Sequence, residues 1–286
     1  MDSFQYEPLQ PNGNQVRLLC FSDDPGGQPG YTLKTFKLNE SPPYDALSYT
    51  WGPPLPTKII CLNKRSFEVR ENLWDFLDHI GRTGITVLDK DNCYLLPPTY
   101  LWIDQICIDQ SSKGEKSHQV GRMSEIYKQS QRVIVWLGCD DQHSDTAMRL
   151  MADIRLVQRP IYKKDSSDFP ADYWTAMSKD YQNNLPRLLN DRHSVENLLR
   201  RRYWGRLWIV QEFVLAQALL LVCGSYAIPS TALTNLIYVS EIPRWFGKSS
   251  VITIPKSVHR LFTARNERET GVTFSLPEIQ MIDLFA

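Results

Sequence analysis

The sequence lacks any stretch of about 18 uninterrupted apolar residues, and its N-terminus, MDSFQYEPLQPNGNQ, has no basic flank leading into an apolar core. The expectation is a protein without a membrane span or secretory leader, soluble and cytoplasmic. It also lacks net charge. The 32 basic residues balance the 32 acidic ones, so no overall field draws the chain to nucleic acid or to an anionic membrane. There is no Walker-type phosphate loop, no basic aromatic patch and no legible Ser/His/Asp set. The six cysteines (Cys20, Cys61, Cys93, Cys107, Cys139, Cys223) form no CxxC pair and have no histidine at ligand spacing. They read as buried free thiols in a reducing compartment, with no metal and no resident cofactor.

What the chain does have is aromatic weight, with eight Trp and thirteen Tyr among 286 residues, which marks a packed globular protein. Val16 to Phe21 and Thr32 to Leu38 read as a hairpin around SDDPGGQPG, and Lys58 to Leu62 with Ser66 to Val69 as a second one around Asn63-Lys64-Arg65. YDALSYTWG, from Tyr44 to Gly52, is a short buried strand feeding a loop. A helix carrying Leu73, Phe76, Leu77 and Ile80 ends near Gly81. Leu101 to Ile106, a helix through Val120, Met123, Ile126 and Tyr127, and Arg132 to Leu137 have the length of a βαβ unit with parallel strands. A polar, partly helical insertion runs from about 139 to 202, with one helix over 144 to 157. A helix bearing WGRLW, a strand at Leu219 to Cys223 and a helix over 230 to 240 follow.

One residue breaks the pattern. From Leu207 to Leu219 the sequence is apolar apart from Gln211, Gln217 and a single charge, Glu212. On one continuous helix, turning about 100° per residue, Gly205, Trp208, Glu212 and Ala216 share a stripe. An acid so placed is either in a buried ion pair, with Arg122 or an arginine of RRYWGR, or reserved for chemistry.

Three stretches, YDALSYTWG at 44 to 52, LWIDQICIDQSSKGEKSHQVGRMSEIYKQSQRVIVWLG at 101 to 138 and RRYWGRLWIVQEFVLA at 201 to 216, resemble the motif blocks of fungal heterokaryon-incompatibility (HET) domains. That resemblance implies a HET domain over 1–240 and a C-terminal extension, 241–286, that opens a region continuing in a longer chain. It also implies a part in the growth arrest or death that follows fusion of genetically different fungal cells, a form of innate immunity involving other incompatibility proteins. The order of pieces is in turn similar to a Toll/interleukin-receptor (TIR) domain. Ser48-Tyr49 ends the first strand, an Asp (104 or 109) leads through a loop with Gly114 into a helix, and Trp208-x-x-x-Glu212 follows. The insertion departs from that order. The fold so implied is α/β: a TIR-like, flavodoxin-like, mostly parallel sheet flanked by helices, with its core over about 40 to 240 and N-terminal β additions.

Many TIR domains hydrolyse NAD, and the Glu of that motif is their catalytic acid. The resemblance therefore implies an NAD glycohydrolase with NAD as substrate, Glu212 as catalytic residue, and a homo-oligomer on activation. Because nicotinamide leaves as a neutral molecule, no general acid is required, and one carboxylate can stabilise the positive charge that develops on the sugar. Open α/β sheets bind ligands beyond the carboxyl ends of their strands. Tyr49, Thr50, Trp51 and Gly52 occupy that loop, and Asp104 and Trp208 join them as candidate NAD contacts. For Trp51 the alternative is a cap on the core and for Asp104 and Asp109 helix or turn capping; Glu115, Lys116 and Arg122 read as a solvated helix face, with orientation of the Trp51 loop by Glu115 or Arg122 as the alternative. The competing function is a non-catalytic assembly module that signals by self-association.

Overall fold

The computed structural model describes residues 2–11, 13–23, 29–88, 94–95, 98–154, 171–245 and 252–270. The N-terminal hairpin forms as expected from β1 (Gln15–Asp23) and β2 (Pro29–Lys37), in register from Gln15 opposite Lys37 to Asp23 opposite Pro29. The middle of its predicted loop, 24–28, lies outside the described residues. β3 (Asp45–Tyr49) follows, then the second hairpin, β4 (Thr57–Leu62) and β5 (Arg65–Arg70). Its turn puts Asn63 and Lys64 at positive φ, which Asn tolerates better than most residues. α1 (Glu71–Asp78) buries Leu73, Phe76 and Leu77, and a π turn extends it over His79–Thr83. β6 (Ile85–Val87) and β7 (Tyr94–Leu95) are short.

The expected strand at Leu101 to Ile106 is cut to β8 (Leu101–Trp102), because Asp104 starts a helical turn, α2 (Asp104–Cys107). The following helix divides at Arg122 into α3 (Lys113–Gly121) and α4 (Met123–Gln129), and β9 (Arg132–Trp136) follows. Next come α5 (Ser144–Asp153), α6 (Ala171–Leu199), a 3-10 turn at Arg202–Gly205, α7 (Ile209–Val214), β10 (Leu219–Cys223), β11 (Tyr226–Pro229), α8 (Ser230–Trp245) and α9 (Lys256–Thr270). Residues 155–170 of the expected insertion and the C-terminal stretch 271–286 lie outside the described residues.

The sheet runs β5-β4-β2-β1-β8-β3-β9-β10-β11-β6-β7. Its centre, β8-β3-β9-β10, is parallel throughout, and its described antiparallel pairs are β1 with β2, β1 with β8, β4 with β5 and β6 with β7. The strands within the stretches at Tyr44, Leu101, Arg132 and Leu219 are thus neighbours in a mixed α/β sheet flanked by helices. Every residue of β3 and β10 is buried, as strands covered on both faces must be.

The chain divides into two compact units. The first, residues 1–87, 92–139 and 208–227, holds the sheet with α1 to α4 and α7. The second, residues 88–91, 140–207 and 228–286, is mainly helical where described and takes in the end of β11. In it α5, α6 and α8 pack on one another, burying Met148, Met151, Leu188, Val195, Leu233 and Leu236, while α9 packs on the 3-10 turn through a face with Val258, Leu261 and Phe262 buried. Residues beyond 241, expected only as an extension, thus contribute buried apolar side chains through α9. Among the described cysteines Cys20, Cys107 and Cys223 are buried free thiols as expected, but Cys61 is half-buried and Cys139 exposed. Burial pushes the Cys107 thiol up to about 12. Among the described residues no helix is long and apolar enough to cross a membrane.

Candidate functional site

Successive residues of a strand point to opposite faces of its sheet, and this alternation sorts the candidate residues into two places. Ser48 and Tyr49, adjacent in β3, diverge. Leu47, Tyr49, Leu101, Ile134, Trp136, Leu220 and Val222 join α1 in one cluster with Leu73, Phe76 and Leu77. Ala46 and Ser48 face the other way, where Ala46 pairs with Trp102 and Ser48 with Val135 across the sheet.

On that second face Glu212 comes in from α7. It is 0% exposed, and its Oε2 accepts a hydrogen bond from the Ser48 hydroxyl, itself 0% exposed. Around them lie Ile209, Val210, Phe213 and Val214 of α7, all buried. Tyr127 of α4 donates to the Leu47 carbonyl at 3.0 Å and meets the Trp102 ring edge-on at 5.3 Å. Of the arginines raised as ion-pair partners, Arg206 lies over the Tyr203 ring at 5.6 Å. Arg122 bonds Glu125 and the Gly13 and Gln15 carbonyls, and Arg201 bonds Asp141. The sequence placed Ser48 at the end of the first strand but left its bond to Glu212, 164 positions away, without any local signal.

The expected continuous helix through WGRLW breaks. Arg206 is extended (φ −77°, ψ 137°) after the 3-10 turn, so Gly205 does not share a helical stripe with Glu212. Trp208 stands at the start of α7 and is 39% exposed, not a floor beneath the acid. Trp204 is 2% exposed, with its indole N–H on the Leu198 carbonyl at 3.1 Å.

The other candidates gather on the α1 face at the carboxyl end of β3. The Trp51 indole N–H donates to Asp104 Oδ2 at 2.7 Å while the Arg70 guanidinium stacks on its ring at 4.8 Å. Arg70 also donates to the Gly52 carbonyl at 2.8 Å. Asn72 ties the layers together, donating to the Thr50 carbonyl and accepting from Trp136 Nε1 at 3.0 Å. Tyr49 is 1% exposed with its hydroxyl on Gln105. Trp51, Thr50, Gly52 and Asp104 are all half-buried, so this edge can present an aromatic ring, a carboxylate and a guanidinium to a ligand, whereas Tyr49 serves as its floor. Asp104 is also the first residue of α2, so helix start and indole anchor coincide in one side chain.

Gly52 has φ +73°, and a Cβ there would meet the Asn72 Cβ at an ordinary 3.7 Å. The strain of a substitution is therefore conformational, not steric. Gly52→Ala is expected to lose about 1–2 kcal/mol, read as a lower urea midpoint at unchanged m-value.

Three other sequence readings are settled by contacts. Asp109 caps a turn, accepting from the Ser111 amide and hydroxyl at 3.0 and 2.6 Å. Glu115, read as a solvated helix residue, instead holds the buried Arg17 through two bonds of 2.5 and 2.9 Å, with its side chain only 9% exposed. Arg122 braces the start of β1, not the Trp51 loop. Among the described residues no group of His, Cys, Asp and Glu is placed to hold a metal.

Comparison with known proteins bears on this layout. The family model for the heterokaryon incompatibility protein (HET) matches residues 44–212, more than half of the chain, from the residue before β3 to Glu212 itself. A curated relative, heterokaryon incompatibility protein 6, OR allele, of Neurospora crassa, is 27% identical over 251 residues, covering 78% of this chain and 35% of that relative. The chain thus spans about a third of that relative's length. No solved structure matches it.

Proposed function

The chain belongs to the heterokaryon-incompatibility family, and on that premise we propose that it is the effector portion of a fungal incompatibility reaction, acting by cleavage of NAD at the nicotinamide–ribose bond. The observation that carries this reading is Glu212, a carboxylate with no exposed surface, gripped by the Ser48 hydroxyl under the central parallel strand. Burying an acid is costly, and a fold that does so on its central parallel strand has that acid available for charge stabilisation once it is uncovered. In this scheme Trp51, Asp104 and Arg70 hold the dinucleotide. Glu212 then stabilises the cationic sugar carbon as neutral nicotinamide departs, and water completes hydrolysis. Access requires α7, six residues long with Trp208 at its exposed start, to move and bring Glu212 to the substrate. The purified chain incubated with NAD tests this by release of nicotinamide.

Specific observations favour a second reading, a non-catalytic assembly module. Glu212 is fully enclosed and lies on the opposite face of the sheet from the Trp51 edge, as a packing residue would. The two readings part on concentration as well as chemistry. If α7 opens when copies of the chain pack together, nicotinamide release per molecule is expected to rise with protein concentration and with crowding agents. Turnover that stayed constant on extensive dilution would exclude a site completed by another copy. An assembly module would self-associate on the same titration without consuming NAD.

A further inference from the structure

We propose that a second ligand site, for a neutral nucleoside held by the hydrogen-bonding edge of its base, lies at the amino end of β3. β3 runs from Asp45 to Tyr49, so at about 3.3 Å per residue this end is roughly 13 Å from the Trp51 edge. The proposal does not depend on NAD cleavage.

A cavity of about 530 Å³ opens there, within the range of small-molecule sites. Its floor is an ion pair between cross-strand partners, Asp45 at the start of β3 and Arg132 at the start of β9. Asp45 is 5% exposed and the Arg132 side chain 32%. Both Arg132 bonds, from Nε at 3.2 Å and from Nη2 at 2.5 Å, go to one oxygen, Oδ2. Asp45 Oδ1 and Arg132 Nη1 have no partner among the described residues. A paired acid and guanidinium that converge on one atom leave an acceptor and a donor over, both belonging to residues that line the cavity. Burial holds Asp45 above the usual carboxylate range, with Arg132 pulling the other way.

The walls decide the shape of the guest. Pro42, Pro43 and Pro98 contribute rings without backbone donors, and Tyr100 contributes aromatic surface, while Tyr44 lines the cavity with its ring buried. These walls are fixed, since the Asp45 amide donates to the Tyr100 carbonyl at 3.1 Å, the Gln131 amide to the Tyr44 carbonyl at 2.8 Å, and the Tyr44 hydroxyl to the Ile126 carbonyl at 2.6 Å. A slot of proline and tyrosine fits a flat ring. The two charged lining residues cancel, which favours a neutral guest over an anion or cation. An edge with donors beside an acceptor, such as guanine's N1–H and N2–H beside O6, offers the donors to carboxylate and the acceptor to guanidinium. With no net positive charge on the chain, a free nucleoside suits the site better than a nucleic-acid strand.

Guanosine titrated into the purified chain by calorimetry tests this. Binding with a dissociation constant below about 1 mM is expected. Thr99 is exposed and lines the cavity, so Thr99→Trp fills the space without touching the core and is expected to weaken binding at least about tenfold. Asp45→Asn, which keeps the shape but removes the charged acceptor, is expected to weaken it about tenfold, the scale of one hydrogen bond to a charged group, with melting temperatures recorded for both variants. Absence of guanosine binding, binding that Thr99→Trp leaves unchanged, affinity unaltered in a folded Asp45→Asn protein, or binding of a guanine oligonucleotide but not of guanosine would each overturn the proposal.

Discussion

Glu212→Gln is expected to leave the chain folded and to reduce nicotinamide release by on the order of a hundredfold or more, the loss that follows removal of one preorganised electrostatic group from an active site. The substitution keeps the size of the side chain and one carbonyl oxygen for the Ser48 hydroxyl, which the structure places on Glu212 Oε2. What disappears is the negative charge that would face the cationic sugar. Ser48→Ala is the complementary change. It deprives a buried carboxylate of a donor and is expected to cost about 1–3 kcal/mol, lowering the melting temperature before it touches chemistry. Melting temperature and nicotinamide release measured on the same samples separate the two effects. A well-folded Gln variant that releases nicotinamide at the wild-type rate would end the catalytic reading and leave the assembly module standing.

Glu115→Ala is expected to be the most destabilising single change in the sheet-bearing unit, about 3–5 kcal/mol, because it strands a buried guanidinium. Arg17 is 3% exposed and reaches out from β1 to three other groups besides Glu115: the Cys107 carbonyl at 3.1 Å, the Glu7 carbonyl at 2.7 Å and the face of Tyr6 at 4.8 Å. Glu115 in turn accepts the Asp109 amide at 2.7 Å and has its own amide capped by Ser112. One carboxylate thus joins β1, the N-terminal segment, the loop after α2 and the start of α3. Urea denaturation gives the loss directly. The double change Arg17→Met with Glu115→Leu is expected to recover part of it, since an apolar pair avoids the unpaired charge. Recovery stays partial because the two carbonyls that Arg17 served lose their donor.

Much of this frame was legible from the sequence, for identifiable reasons. β3, β9 and β10 are short apolar runs buried on both faces, and such runs announce themselves by composition. The hairpin turns were marked by Pro, Gly and Asn. The errors share a cause: side chains that bond over long sequence distances leave no local trace. The spacing of Trp208 and Glu212 suggested one helix from 204 onward, but the 3-10 turn ends at Gly205 and Arg206 turns extended. Glu115 looked like a surface residue because its partner, Arg17, lies 98 positions away. Tyr49, Thr50, Trp51, Gly52 and Asp104 fall at one edge. Their separation from Glu212 follows from the pleat, which sends Ser48 and Tyr49 to opposite sides. That parity could have been counted from the sequence, but only with the strand's helix partners already known.

The interleaving of the two units sets a timetable for synthesis. β10 is the last of the four central parallel strands to be made, and about 80 residues separate it from its neighbour β9, most of them belonging to the helical unit. At about 5–20 residues per second, the ribosome takes roughly 4–16 s to bridge that gap. Throughout it the backbone groups of β9 that will pair with β10 have no strand to meet, and Val133, Ile134 and Val135, all 0% exposed in the finished protein, lie beside an open edge. Nascent chains of this protein therefore pass through a stage in which an apolar strand waits for its partner with one edge open.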